Sequence, residues 1–114
     1  MEQKRLQAAF YRAASGSEPA RDWLLDLPEA ERRVVGYDIA AVEFGWPVGM
    51  PTCRAMGQGL YEIRSSLPGN RISRMFFCIA DAQLVLLHGF INKMQATPKT
   101  DLDLARKRMK DVSP

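Results

Sequence analysis

Four cationic side chains, Arg64, Arg71, Arg74 and Lys93, recur at or near the ends of short apolar runs in the second half of this chain, and the single histidine, His88, sits among them. Fixed cations at the edge of a small sheet suit one task above others, which is gripping a phosphodiester. A guanidinium stays charged at any physiological pH, and its planar fork of donors matches two phosphate oxygens. An imidazole, with an unperturbed pKa of about 6.5, can take or give a proton near neutrality. Metal-free RNA cleavage needs both kinds of group. The 2′-hydroxyl must lose a proton, the extra negative charge on pentacoordinate phosphorus must be offset, and the 5′-oxygen must gain a proton. The products would be a 2′,3′-cyclic phosphate, or its opened form, and a 5′-hydroxyl.

Each of these residues also has a plainer reading. Arg64, Arg71 and Arg74 are either charge stabilisers or members of salt bridges. Arg71 and Arg74 are three apart, so a regular strand sends them to opposite faces. His88, beside Leu86, Leu87 and Phe90, is either an acid/base group or a satisfied core histidine. Tyr61 is a candidate for stacking or proton relay. Glu62 is either a base or the partner of Arg64, and alternation puts those two on one face, which favours the ion pair. Trp46 either stacks on a base or seals the core edge. Arg106 and Lys107, with Arg108 and Lys110, crowd the last turns of a terminal helix, where cations suit the helix dipole and could also meet phosphates. One histidine and no CxxC pair suggest neither a metal site nor a cofactor. Of the two cysteines, Cys78 reads as a small buried hydrophobe and Cys53 as a loop thiol open to solvent.

The elements that must position these groups follow from the apolar pattern. Arg5–Arg12 alternates weakly and reads as a first strand, broken at Ser15-Gly16-Ser17. Ser17 then caps a helix with Pro19 in its first turn and Trp23, Leu24 and Leu27 on its apolar face. Pro28 divides it from a second helix, in which Val35, Ile39 and Val42 form one stripe and Gly45-Trp46-Pro47 is the stop. This pair predicts a helical hairpin, with Leu27 to Phe44 its strongest part. Gly45–Gly59, with four glycines and two prolines, reads as a long loop. Leu60–Ser66, Arg71–Ala80 and Gln83–Ile91 read as three strands joined by tight turns, an antiparallel meander. The last two are apolar on both faces, as strands covered on both sides are. After a loop with Thr97-Pro98, Thr100 caps a final helix whose stripe is Leu102, Ala105, Met109 and Val112. The expected fold class is α+β: a small, mostly antiparallel sheet in the order β-α-α-β-β-β-α, its N-terminal helical hairpin packed on one face and a C-terminal helix added, with helices segregated to one side.

The bulk properties agree with a single domain over residues 1–114 that can bury a core without disulfides. No segment is apolar for long enough to span a bilayer, and MEQKRLQAAFYR has no apolar signal core, so the expected compartment is the cytoplasm with no membrane partner. Charge is uneven. Residues 1–58 carry seven Lys/Arg and eight Asp/Glu, net −1, whereas residues 59–114 carry nine and five, net +4. The basic half therefore points to an anionic partner, nucleic acid or acidic protein.

The ordered set Leu60-Tyr61-Glu62-Ile63-Arg64, Arg71-Ile72-Ser73-Arg74-Met75-Phe76-Phe77, Leu86-Leu87-His88-Gly89-Phe90, Lys93, Thr97-Pro98 and Ala105 in a basic helix resembles the phage-derived Gp49-like branch of the RelE/HigB toxin superfamily. Asp26-Leu27-Pro28 in the helical pair fits as well. The resemblance implies a toxin of a type II toxin–antitoxin module, a ribosome-dependent endonuclease that cuts mRNA in the A site on a microbial-RNase-like sheet. The partners it implies are the ribosome, mRNA and a small helix-turn-helix antitoxin, with operator DNA met only through that antitoxin. It places Arg64, His88 and Lys93 at catalytic positions, while Arg71 and Arg74 compete for the next because the turn length leaves the alignment ambiguous; Arg74 is favoured as catalytic, with Arg71, Tyr61, Arg106 and Lys107 as the candidates for RNA binding. Arg74 precedes the apolar Met75-Phe76-Phe77 run as the family's arginine does. Relatives often carry paired lysines around Lys93. Here Asn92 precedes it and Met94 follows, a departure that favours the alternative, a non-catalytic toxin-like module acting through antitoxin binding and operon repression. A third reading is RNA binding without cleavage.

Overall fold

The structure is a computed structural model describing residues 3–93 and 96–112. The elements run β1 (Gln7–Phe10), α1 (Pro19–Asp26), α2 (Glu29–Gly45), β2 (Cys53–Gly57), β3 (Leu60–Leu67), β4 (Arg71–Ala80), β5 (Gln83–Asn92) and α3 (Lys99–Val112). The five strands form one mixed sheet in the order β1-β5-β4-β3-β2. β1 pairs with β5 in parallel, and the remaining neighbours are antiparallel. The expected order was one strand short, because Cys53–Gly57 lies inside the segment read as loop. This strand carries a glycine, has little alternation and pairs only with β3, so it leaves a weak period in the sequence.

Two-residue turns build the meander. Asp81 and Ala82 both take left-handed conformations between the paired Ala80 and Gln83, the geometry whose twist matches that of the flanking strands. Gln58 and Gly59 do the same between β2 and β3.

β4 explains why its sequence is apolar on both faces. Met75 and Phe77 enter a core with Ile63, Leu84 and Leu86 from the sheet and Ala20, Val35, Ile39 and Val42 from α1 and α2. Phe76 and Cys78 enter a second core with Leu60, Val85, Leu87 and Ala105 of α3. The helices are therefore not segregated to one side: α3 covers the face opposite to α1 and α2. Nor do α1 and α2 pair chiefly with each other, since α1 lies over β5 and α2 over β3. Burial of a large apolar side chain contributes about 1.5–3 kcal/mol, so two such cores are a sufficient drive for a chain of this size.

Two capping expectations also change. Glu18 rather than Ser17 precedes α1, without a side-chain cap, and Pro19 is the residue that starts the helix. α3 starts at Lys99, which puts Thr100 inside its first turn. Cys53 is buried in β2, not exposed in a loop, and burial, with Glu62 nearby, pushes its thiol pKa up to about 11. Among the described residues no helix is long and apolar enough to cross a membrane.

Candidate functional site

Partners across antiparallel strands share a face. Arg64 of β3 is opposite Arg74 of β4, which is opposite Phe90 of β5, and the next row is Glu62, Phe76 and His88. Since Phe76 lies in the α3 core, all six side chains belong to the α3 face of the sheet. Alternation in the sequence carries this much: Glu62 and Arg64 do share a face, and Arg71 does lie on the opposite side from Arg74.

At the centre of that face is a buried charge cluster. Arg74 and Glu62 are both fully shielded from solvent. Arg74 donates from Nη1 to Glu62 Oε1 at 2.9 Å and from Nε to Asn92 Oδ1 at 3.2 Å. Glu62 Oε2 accepts from the Thr97 hydroxyl at 3.2 Å. Arg74 is thus placed below the surface, engaged with protein, and not where a substrate would touch it. Asn92, the departure from the lysine pattern, is one of its partners. Met94, the other departure, lies outside the described residues.

Arg64 is the arginine of this row that reaches solvent. Its side chain is 20% exposed, and its Nε stands 4.0 Å from Glu62 Oε1. That Nε is buried and has no hydrogen-bond acceptor among the described residues. Just before β2 begins, the Arg64 amide donates to the Thr52 carbonyl at 2.8 Å, and beyond this point the edge of β3 is open. There Arg64 lines an open cavity of about 360 Å³ with Thr52, Ser66, Asp38, Val34 and Ile72. A second depression of about 380 Å³ shares Ser66 and Ile72 with the first and adds Asn70, Arg71 and Lys93. Three of the expected cations therefore line a groove of two adjoining parts, Arg64 in one and Arg71 and Lys93 in the other. Arg71 is held there by a bidentate ion pair with Glu31 of α2 and donates to the Pro68 carbonyl at 3.1 Å. The Glu31 hydrogen bond raises the Arg71 pKa above the usual guanidinium value. Lys93 is exposed.

His88 is close to this row but outside the groove. Its Nε2 is 2.7 Å from Asp101 Oδ1, in the first turn of α3, a position where a carboxylate suits the helix dipole. Its ring packs beside Phe76 and Phe90, with centroids 6.4 and 5.8 Å away, and those two rings also touch each other at 5.7 Å. Asp101 read in the sequence only as a helix-start acid, since nothing local signals a partner on another element.

Tyr61, Arg106 and Lys107 lie elsewhere. Tyr61 is on the α1–α2 face, stacked on Phe77 and met edge-on by Trp46, so both aromatic rings serve packing. Arg106 donates to the Met56 carbonyl at 2.9 Å and the Gly57 carbonyl at 3.3 Å, which ties α3 to the β2–β3 turn. Lys107 is exposed on α3. No group of three or more His, Cys, Asp or Glu side chains among the described residues could hold a metal ion.

Residues 22–110 match the family described as phage-derived protein Gp49-like (DUF891). The chain belongs to this family. No curated protein matches it. The matched span of this Gp49-like chain includes every side chain of the groove and the whole of the buried Arg74–Glu62 cluster.

Proposed function

We propose that this Gp49-like chain is a toxin of the RelE/HigB kind: a metal-independent endoribonuclease that cuts mRNA in the ribosomal A site and so inhibits translation. The observation that carries the reading is Arg64, the arginine of its row whose side chain reaches solvent, on an open cavity that Thr52 and Ser66 also line. Its Nε lies 4.0 Å from the Glu62 carboxylate, beyond hydrogen-bond range, and a partly exposed guanidinium can turn donors to the phosphorus oxygens as their charge grows. Arg74 and Glu62 act as positioning residues beneath it, because a buried, hydrogen-bonded ion pair fixes the surface on which Arg64 rests. His88, oriented by Asp101, is the proton-transfer group on the same face. Lys93 and Arg71 hold flanking phosphates of the RNA. The ribosome and mRNA are the working partners, a small helix-turn-helix antitoxin is the regulator and the only link to operator DNA, and the site of action is the cytoplasm.

One observation favours a second reading, a non-catalytic module that binds antitoxin and tunes repression. Arg74 is wholly engaged within the protein and His88 is paired with Asp101 beside two phenyl rings, so two of the four expected catalytic groups are occupied. Controlled expression in bacteria separates the two. Growth arrest that Arg64→Ala removes, at equal protein level, supports the nuclease. Unimpaired growth with a well-folded wild-type chain supports the binding module.

A further inference from the structure

The cavity beside Arg64 has lining groups that phosphate binding does not use. Val34 and Asp38 of α2 also line it, with Ile72 and Pro51 as further apolar contacts. Asp38 is half-buried and makes no hydrogen bond or ion pair with any described residue, Arg64 included. A carboxylate that shares a cavity with a guanidinium yet does not pair with it is available to a ligand, and the cavity is lined by groups of both signs. Apolar side chains together with a few convergent polar groups, in a volume of a few hundred Å³, suit a small ligand.

We infer that this cavity is a base-recognition pocket in which Asp38 selects guanine on the RNA held by Arg64. The inference rests on the nuclease reading for the identity of the polymer and goes beyond it in naming the base. An ionised aspartate only accepts hydrogen bonds. Single-stranded RNA is read through splayed bases, on their Watson–Crick edges and π-faces. Guanine presents two adjacent donors on that edge, N1–H and the N2 amino group, which match two carboxylate oxygens. Adenine and cytosine present one amino donor beside an acceptor, and uracil one imino donor between two carbonyls, so each sets an acceptor against the carboxylate. The Val34, Pro51 and Ile72 walls supply apolar contact to the π-face of any base, leaving Asp38 as the discriminating group. Arg64 and Ser66, which line the same cavity, take the attached phosphate.

The test uses the full chain and needs no ribosome. Binding of 3′-GMP, 3′-AMP, 3′-CMP and 3′-UMP is measured by calorimetry, and then that of trinucleotides carrying each base with 2′-deoxy sugars to prevent cleavage. The expected result is a preference for 3′-GMP over 3′-AMP of about tenfold, the low end of a bidentate base contact. Asp38→Asn should erase that ratio while both nucleotides still bind and the thermal midpoint is unchanged. The G-containing trinucleotide should bind more tightly than free 3′-GMP, because the Arg71–Lys93 depression takes a neighbouring phosphate. Equal binding of the four nucleotides, or a ratio that survives in Asp38→Asn, overturns the pocket. A trinucleotide that binds no better than 3′-GMP overturns its assignment to RNA. Guanine preference in a protein that never cleaves on ribosomes leaves the pocket standing and removes the nuclease reading. Ribosomal cleavage without guanine preference does the reverse.

Discussion

Arg64 and Arg74 face each other across two strands and have opposite fates, because one lies at the open edge of the α3 face and the other at its covered centre. Their substitutions should therefore differ in kind. Arg64→Ala should lower cleavage by about a hundredfold or more, the scale of losing one charge-stabilising donor, with little effect on stability. Arg74→Ala leaves Glu62 without its buried partner and should destabilise the fold by about 3–5 kcal/mol. Urea unfolding of both variants checks the contrast, and an Arg74→Ala protein as stable as wild type would refute the positioning role. His88→Gln should reduce cleavage by about 10²-fold if the imidazole moves a proton. Single-turnover assays on ribosomes read this directly, and an unchanged rate would return His88 to packing. The sequence carried part of this picture. Alternation placed Glu62 with Arg64 and separated Arg71 from Arg74. It did not show that Arg74 is covered, or that Asp101 meets His88, because both depend on how α3 and the preceding segment return over the sheet. Tyr61 misled for a related reason: a tyrosine on a strand can face either solvent or core, and here Trp46 and Phe77 claim it.

The elements hold these residues through close contacts that single substitutions can test. Gly89 of β5 lies under Trp23 of α1, and an added Cβ would come within 2.5 Å of the indole ring. Gly89→Ala should therefore cost about 1–3 kcal/mol through overpacking. The denaturation midpoint measures it, and no shift would mean that α1 rides free of β5. β2 is the element the sequence concealed, and Cys53 is its buried anchor. An unfolded thiol ionises near 9.0, whereas the folded one is held up to about 11. Above pH 9 the unfolded state gives up a proton that the folded state keeps, so stability falls as pH rises from 9 towards 11. Cys53→Ala should remove part of that alkaline loss, the rest being due to Cys78 and Tyr11, whose pKa values are also raised. Unfolding curves at pH 7 and pH 10 decide this, and an identical loss in the variant would contradict it. The helices were legible from their apolar stripes, β3 from its alternation, and β4 and β5 as apolar runs bounded by turn residues. β2 was not, because an exposed edge strand with glycine in it has almost no alternation.

At the scale of the whole molecule, helices cover both faces of the sheet, and the candidate cations meet at its rim. That rim lies beside the start of β2, with Arg64 in one depression and Arg71 and Lys93 in the adjoining one. The net charge of +4 in residues 59–114 favours an anionic partner for that half of the chain. The central claim is that this rim is a nuclease site. The most direct test is cleavage mapping of a defined mRNA on programmed ribosomes, with purified wild-type protein beside Arg64→Ala. Cuts confined to the A-site codon, leaving 5′-hydroxyl ends and absent with Arg64→Ala, are the predicted result. Intact mRNA with a folded, ribosome-bound wild-type protein, or equal cutting by Arg64→Ala, would contradict it.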